Sequence, residues 1–251
     1  MNGFGRKAIG YAVALTLLLA GWHLLSAGVG SPALPPPAPA IGDFLRLFGR
    51  ELWPHLLVSA RRVLASMAAG TLVAAPIGLL VGRSRRADAV AAPLVFLSYP
   101  IPKVVFLPVL LVLLGIGDLS KIALITLVIF FQILVTARDA ARSIPAASIL
   151  SVRSLGADRW QVFRHVVLPA ALPDVFTALR ISTGTAIAVL FVSESVAGTE
   201  GLGYYILDAW GRIAYSEMFA GILAMAFLGV VFYEALQALE SRLCRWTRAG
   251  R

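Results

Sequence analysis

The chain is poor in the residues on which most water-based chemistry depends. It has one cysteine, Cys244, three histidines, and charged residues at only 14% of its 251 positions. A lone cysteine excludes a disulfide scaffold, and there is no Cys-x-x-Cys or His-x-x-x-His pair to hold a metal. The three lysines follow Arg6, Pro102 and Ser120, so the Gly-Lys that closes a phosphate-cradling loop is absent. Glycine shows no three-residue period, which excludes a collagen-like chain, and the scarcity of charge excludes disorder. The apolar runs do not alternate with polar residues as the strands of a transmembrane β-barrel do.

Hydrophobic residues make up 59% of the chain, and its mean hydropathy is +0.85. A soluble domain is about half apolar and a quarter charged, so this composition is that of an all-α membrane protein. At ~20 residues per span the length suits six transmembrane helices and leaves no room for a large soluble domain. The apolar runs lie at Ala8–Val29, Val63–Val81, Ala89–Leu114, Lys121–Thr136, Val175–Ala197 and Met218–Leu239. The first follows Arg6 and Lys7 and is longer than the ~7–15 residues of a signal-peptide core, which favours a retained anchor over cleavage near Ser26-Ala27-Gly28. The proline-rich stretch Ser31–Pro39 reads as an extended connector outside the bilayer, and Phe44–Arg62 as an amphipathic interfacial segment. The expected organisation is an anchor and connector over 1–50, a core over 51–240 and a basic tail over 241–251.

The net charge of +9 is segregated by loop, which argues against nucleic acid and for membrane orientation. With the N-terminus inside, fifteen of the twenty-two basic residues fall on one side and six on the other, while Lys103 falls within the third run. The positive-inside rule then predicts a multi-pass protein of the bacterial inner membrane with both termini cytoplasmic, Cys244 among them.

The cytoplasmic interval at about 138–172 reads as folded. Pro145 can start a helix and Gly156 can end it in a left-handed turn, which predicts a helix over Ala146–Leu155. Asp158 with Gln161 three residues on forms a variant capping box for a second helix, ending near Pro169 and Pro173. Trp160, Phe163 and Val167 share one face of that second helix and need a partner: a protein or the bilayer surface.

The run Arg153-Ser154-Leu155-Gly156-Ala157-Asp158-Arg159-Trp160-Gln161-Val162-Phe163-Arg164, continuing to Leu168-Pro169 and Leu172-Pro173, resembles the cytoplasmic "EAA" loop of binding-protein-dependent ABC importer permeases. Tyr99-Pro100-Ile101-Pro102-Lys103 and Gly201-Leu202-Gly203-Tyr204 are similar to segments of the nitrate, sulfonate and taurine group, and the likeness extends over about Leu52–Leu239. One departure is plain: Leu150-Ser151-Val152 stands where the family writes Glu-Ala-Ala. The resemblance implies a type I permease fold working as a homodimer with two ABC ATPase subunits and an extracytoplasmic solute-binding protein. It implies no cofactor in this chain, ATP and Mg being bound by the partner ATPase, and a small anionic solute such as a sulfonate, taurine or nitrate. A thiamine-precursor-like solute is the alternative, and an ATP-independent secondary transporter a more distant one. Ser151, Arg153, Ser154, Leu155, Gly156, Ala157 and Asp158 would couple to the ATPase.

An intramembrane enzyme would need facing nucleophile and base, or paired acids. His23, His55 and His165 fall in different zones, so the chain is expected to be non-catalytic. Two ionisable residues stand inside runs: Lys103, after Pro100 and Pro102, and Glu194 near the outer end of the fifth. Both should face the bundle interior or reach the interface, paired with each other or with the interface in reach of the lysine. Broken helices at mid-membrane also build pathways, which makes Tyr99, Pro100, Pro102, Lys103 and Glu194 the candidate translocation pathway or gate.

Overall fold

A computed structural model describes residues 3–248. They are almost wholly helical. Five helices are long and apolar enough to cross a bilayer. The count becomes six when Arg85–Ser98 and Lys103–Leu114, bent by 81° at Tyr99–Pro102, are taken as one broken span.

Helix α1 (Gly3–Val29) lies along the edge of the bundle, with nearly all of its apolar surface outward. Its contacts are specific: the Trp22 indole donates to the Pro35 carbonyl at 3.0 Å, the Ser26 hydroxyl to the Leu34 carbonyl at 2.7 Å, and the Trp22 ring stacks on Phe219 at 5.5 Å. The connector is shorter than the sequence predicts, because α2 (Pro37–Leu47) already starts within the proline run. Pro37 occupies the first turn, where its missing N–H has no helical acceptor to lose. A π-turn over Phe48–Leu52 then leads into α3 (Trp53–Arg83), so the segment expected to lie at the interface is one helical path with the following span.

The centre of the bundle is α3 packed on α6 (Asp118–Ser143). The buried positions Ile125, Ile129, Ile133, Ala137 and Ala141 recur every four residues on α6, forming one stripe. Small residues on α3 let the backbones meet. A Cβ added to Gly78 would stand 2.5 Å from the Leu134 carbonyl oxygen and 2.9 Å from the Ala137 methyl, and one on Gly82 would collide with the Arg138 carbonyl. Glycine is required at both positions by proximity alone.

Between these two helices run α4 (Arg85–Ser98), a 3₁₀ turn at Lys103–Phe106 and α5 (Leu107–Leu114). Then come Gly115-Ile116-Gly117 and α6. The hairpin after α6 comprises α7 (Ala146–Ser154) and α8 (Arg159–Val162). The second helix does not stop at Pro169 or Pro173: a π-turn over Phe163–Val167 carries α8 straight into α9 (Leu168–Ala197). The wider turn and the start of α9 absorb the N–H that Pro169 lacks, and Pro173 is accommodated inside α9. The short α10 (Leu202–Gly211) and the final span α11 (Tyr215–Leu243) complete the bundle.

Candidate functional site

At one end of the bundle the hairpin projects. Helix α7 ends as the sequence predicts, with Gly156 left-handed at φ 88° and its N–H donating to the Arg153 carbonyl at 2.9 Å. Ala157 N–H reaches back to the Val152 carbonyl at 3.4 Å. Ser151 and Ser154 donate their hydroxyls to the carbonyls four residues earlier, at 2.9 and 3.0 Å. The capping box is complete, since the Gln161 N–H donates to the Asp158 carboxylate at 2.8 Å and the Asp158 N–H to the Gln161 side-chain oxygen at 2.9 Å. Backbone bonds across the glycine turn and the side-chain capping box together fix α7 relative to α8, and the seven coupling candidates Ser151, Arg153, Ser154, Leu155, Gly156, Ala157 and Asp158 lie on the end of α7 and this turn. Leu150, Leu155 (87% exposed) and Trp160 face outward from the hairpin. The Trp160 ring stacks on Phe163 at 5.8 Å and stays largely exposed on its other side.

At the opposite end lies a polar cluster whose centre is buried and whose rim, Asp118 and Glu200, is partly exposed beside a cavity of about 240 Å³. Glu194, on the last turns of α9, has no exposed surface, and Arg62 of α3 is 2% exposed. The Arg62 guanidinium donates to Glu194 at 2.7 Å, to Asp118 at 2.7 Å, and to the carbonyl and carboxylate of Glu200 at 3.0 and 3.3 Å. All of its donor nitrogens are engaged. Glu194 also accepts from the Ser59 hydroxyl at 2.9 Å and the Gly203 N–H at 2.9 Å. The loop around the carboxylate is built of glycine for space: Gly201 is at φ 106°, and a Cβ there would stand 2.5 Å from Glu194 Oε2. The Leu202 N–H donates to Ser59 at 2.8 Å and the Gly201 N–H to His55 Nδ1 at 3.0 Å. The cluster thus ties α3, the start of α6, the end of α9 and the start of α10 to one arginine.

Lys103 sits elsewhere, at the break in the third span. Its ammonium donates to the carbonyls of Ser98 and Tyr99 at 2.8 and 2.9 Å, the former also accepting the Ile101 N–H at 3.3 Å, and stands 4.7 Å from the centre of the Phe131 ring on α6. The structure therefore does not pair Lys103 with Glu194. Tyr99, Pro100, Pro102 and Lys103 form one local feature and Glu194 belongs to another. Arg62, assigned by sequence to an interfacial segment, is the principal omission. Its signal was available: Ser59, Arg62 and Ser66 recur at helical spacing on one face of an otherwise apolar stretch. Cys244, expected on the cytoplasmic side, is 2% exposed, and burial pushes its thiol above the ordinary value.

A broken span, an ion cluster at one end and a protruding hairpin at the other are the features of a polytopic membrane protein. The chain belongs to the family of binding-protein-dependent transport system inner membrane components, whose model matches residues 51–245. It is 34% identical to the taurine transport system permease protein of Escherichia coli (strain K12), over 92% of this chain and 86% of that one. It is 30% identical to a putative aliphatic sulfonates transport permease protein of Bacillus subtilis (96% and 90%) and 33% identical to the riboflavin transport system permease protein of Chloroflexus aurantiacus (98% and 93%). The fold is that of type I importer permeases: the MetNI methionine ABC transporter superposes with TM-score 0.65 at 23% identity, over 76% of this chain and 95% of that one.

Proposed function

We propose that the chain is the permease subunit of an ATP-driven importer for a small sulfonate of the taurine type. The hairpin carries this reading, because a left-handed glycine and a complete capping box hold a short helix, seated on the core by Ile149, with Leu150, Leu155 and Trp160 exposed. Such a rigid, apolar-tipped element fits a cleft in a separate ATPase, and the family's printed description, a binding-protein-dependent system, supplies the second partner class. In this reading two copies of the chain form the pathway, two ATPase subunits bind ATP and Mg, an extracytoplasmic binding protein delivers the solute, and this chain catalyses nothing itself. The arginines gathered at the hairpin end, including Arg83, Arg85, Arg142, Arg153, Arg159 and Arg164, support placing that end and both termini in the cytoplasm. The taurine and sulfonate names of two relatives favour an anionic solute, whereas the riboflavin relative keeps an uncharged one in view.

The test is reconstitution. The permease is co-purified with its ATPase, placed in proteoliposomes and supplied with binding protein and labelled taurine. Uptake that needs ATP on the hairpin side supports the reading. Uptake without ATPase would establish a secondary transporter instead.

A further inference from the structure

The cations within the spans are not equivalent. Arg62, Arg138 and Arg180 each meet a carboxylate, namely Glu194, Asp88 and Glu240. Lys103 meets none among the described residues. A charge without a counter-ion at membrane depth is costly, and what holds this one in place is local: two carbonyl oxygens and the faces of Phe131 and Tyr99, at 4.7 and 5.4 Å. An ammonium has three N–H donors, and those carbonyls take two. The third has no acceptor among the described residues, and the side chain is only partly buried. Phe131 also lines an open groove of about 530 Å³ whose walls are Leu119, Ala123, Leu127 and Phe130, with Thr126 the polar residue among them. One aromatic ring therefore belongs both to the lysine's setting and to an apolar groove.

We propose that Lys103 is the solute-contacting cation of the pathway: its free N–H receives the sulfonate oxygens while the groove beside Phe131 accepts the solute's hydrocarbon portion. The proposal rests on the importer reading above and narrows it to a site. Glu194 has no such role, since its oxygens are taken by Arg62, Ser59 and Gly203 at the buried centre of their cluster.

Cys244 is the chain's one cysteine, so Cys244→Ser gives a thiol-free parent in which Lys103→Cys carries a single reporter. In the reconstituted complex, Lys103→Cys is expected to cut uptake of labelled taurine by about tenfold or more, the loss of one charge-assisted hydrogen bond, while binding-protein-stimulated ATP hydrolysis stays within about twofold of the parent. Treatment with 2-aminoethyl methanethiosulfonate, which rebuilds a lysine-like ammonium on that thiol, restores uptake. The 2-sulfonatoethyl reagent modifies the same thiol and restores nothing, and Lys103→Arg keeps a substantial share of transport. Undiminished uptake in Lys103→Cys, or failure of the aminoethyl adduct to restore it, overturns the proposal. With a parent that transports taurine, a Lys103→Cys thiol that reacts with neither reagent overturns the Lys103 site alone. A parent that hydrolyses ATP yet moves no taurine overturns the solute of the importer reading, and the sulfonate at Lys103 with it.

Discussion

Removing the Arg62 guanidinium while leaving its shape, as in Arg62→Met, strands Glu194 where no solvent reaches it. The carboxylate would keep the Ser59 hydroxyl and the Gly203 N–H and lose its counter-ion. Asp118 suffers less, because it is partly exposed and retains Arg61. Breaking a buried pair from one side costs about 3–5 kcal/mol, far more than a surface pair is worth. For a chain of this size each kcal/mol moves the melting temperature by roughly 2–4 °C, so a fall of about 6–20 °C is expected. Glu194→Gln in the wild-type background leaves the arginine with Asp118 and Glu200 and should cost less. The double variant Arg62→Met/Glu194→Gln removes the stranded charge and should recover about 0.5–3 kcal/mol of the summed losses, the range for groups in direct contact. The measurement is the fraction of monodisperse protein surviving heating in detergent, followed by size exclusion. A melting temperature for Arg62→Met within about 3 °C of wild type, or strict additivity in the double variant, would refute the assignment of Arg62 as the hub.

Gly156→Val places a β-branched residue at φ 88°, with open space around the new side chain, so the cost of about 1–2 kcal/mol is purely conformational; the permease should fold but lose ATPase docking or hydrolysis-driven uptake, and Gly156→Asn, which tolerates the left-handed region, should be milder. Normal assembly and uptake in Gly156→Val would show that the turn does not set the hairpin. Gly78→Ala drives a methyl to 2.5 Å from the Leu134 carbonyl and should destabilise by about 1–3 kcal/mol in the same heating assay. Gly184→Ala, with no neighbour within 4 Å of the added carbon, should be neutral or slightly stabilising, and equal effects from the two would sink the close-approach argument.

The hairpin was readable in the sequence because every signal that makes it is local: Pro145 before it, Gly156 at its turn, Asp158 and Gln161 three apart. The break at Pro100 and Pro102 was readable for the same reason. Where local rules misled, a neighbouring turn had absorbed the expected penalty. Pro37 stands in a first turn, and Pro169 follows a π-turn that lets α8 run on into α9. The Arg62 cluster was invisible to that method, since its carboxylates lie 56, 132 and 138 residues away along the chain. Short-range sequence can show that the face of α3 carrying Arg62 is polar, but not which acids from other elements close upon it. The paired polar positions Ser59 and Ser66 were the available hint that this face of α3 turns inward.

The two ends are joined by a single element. Helix α9 starts at the hairpin's π-turn and, at 1.5 Å per residue over 30 residues, extends about 45 Å to the turn that carries Glu194. Its far end is pinned through Glu194 and Arg62 to α3 and, through Asp118, to α6, while its near end is continuous with the element proposed to dock the ATPase. A rod held at one end converts displacement of the hairpin into a tilt about the Arg62 cluster, and the solute site proposed at Phe131 lies on α6, which packs along α9. Unpinning the far end should therefore resemble a loosened hairpin turn: ATP hydrolysis continues and uptake falls. Arg62→Met/Glu194→Gln is the informative variant, because it removes the anchor without stranding a buried charge; with uptake compared at equal amounts of folded complex, a transport defect in it reflects the missing anchor. Full transport by that double variant, with wild-type stimulation of hydrolysis, would mean that the cluster only stabilises the bundle and that the tilt is governed elsewhere.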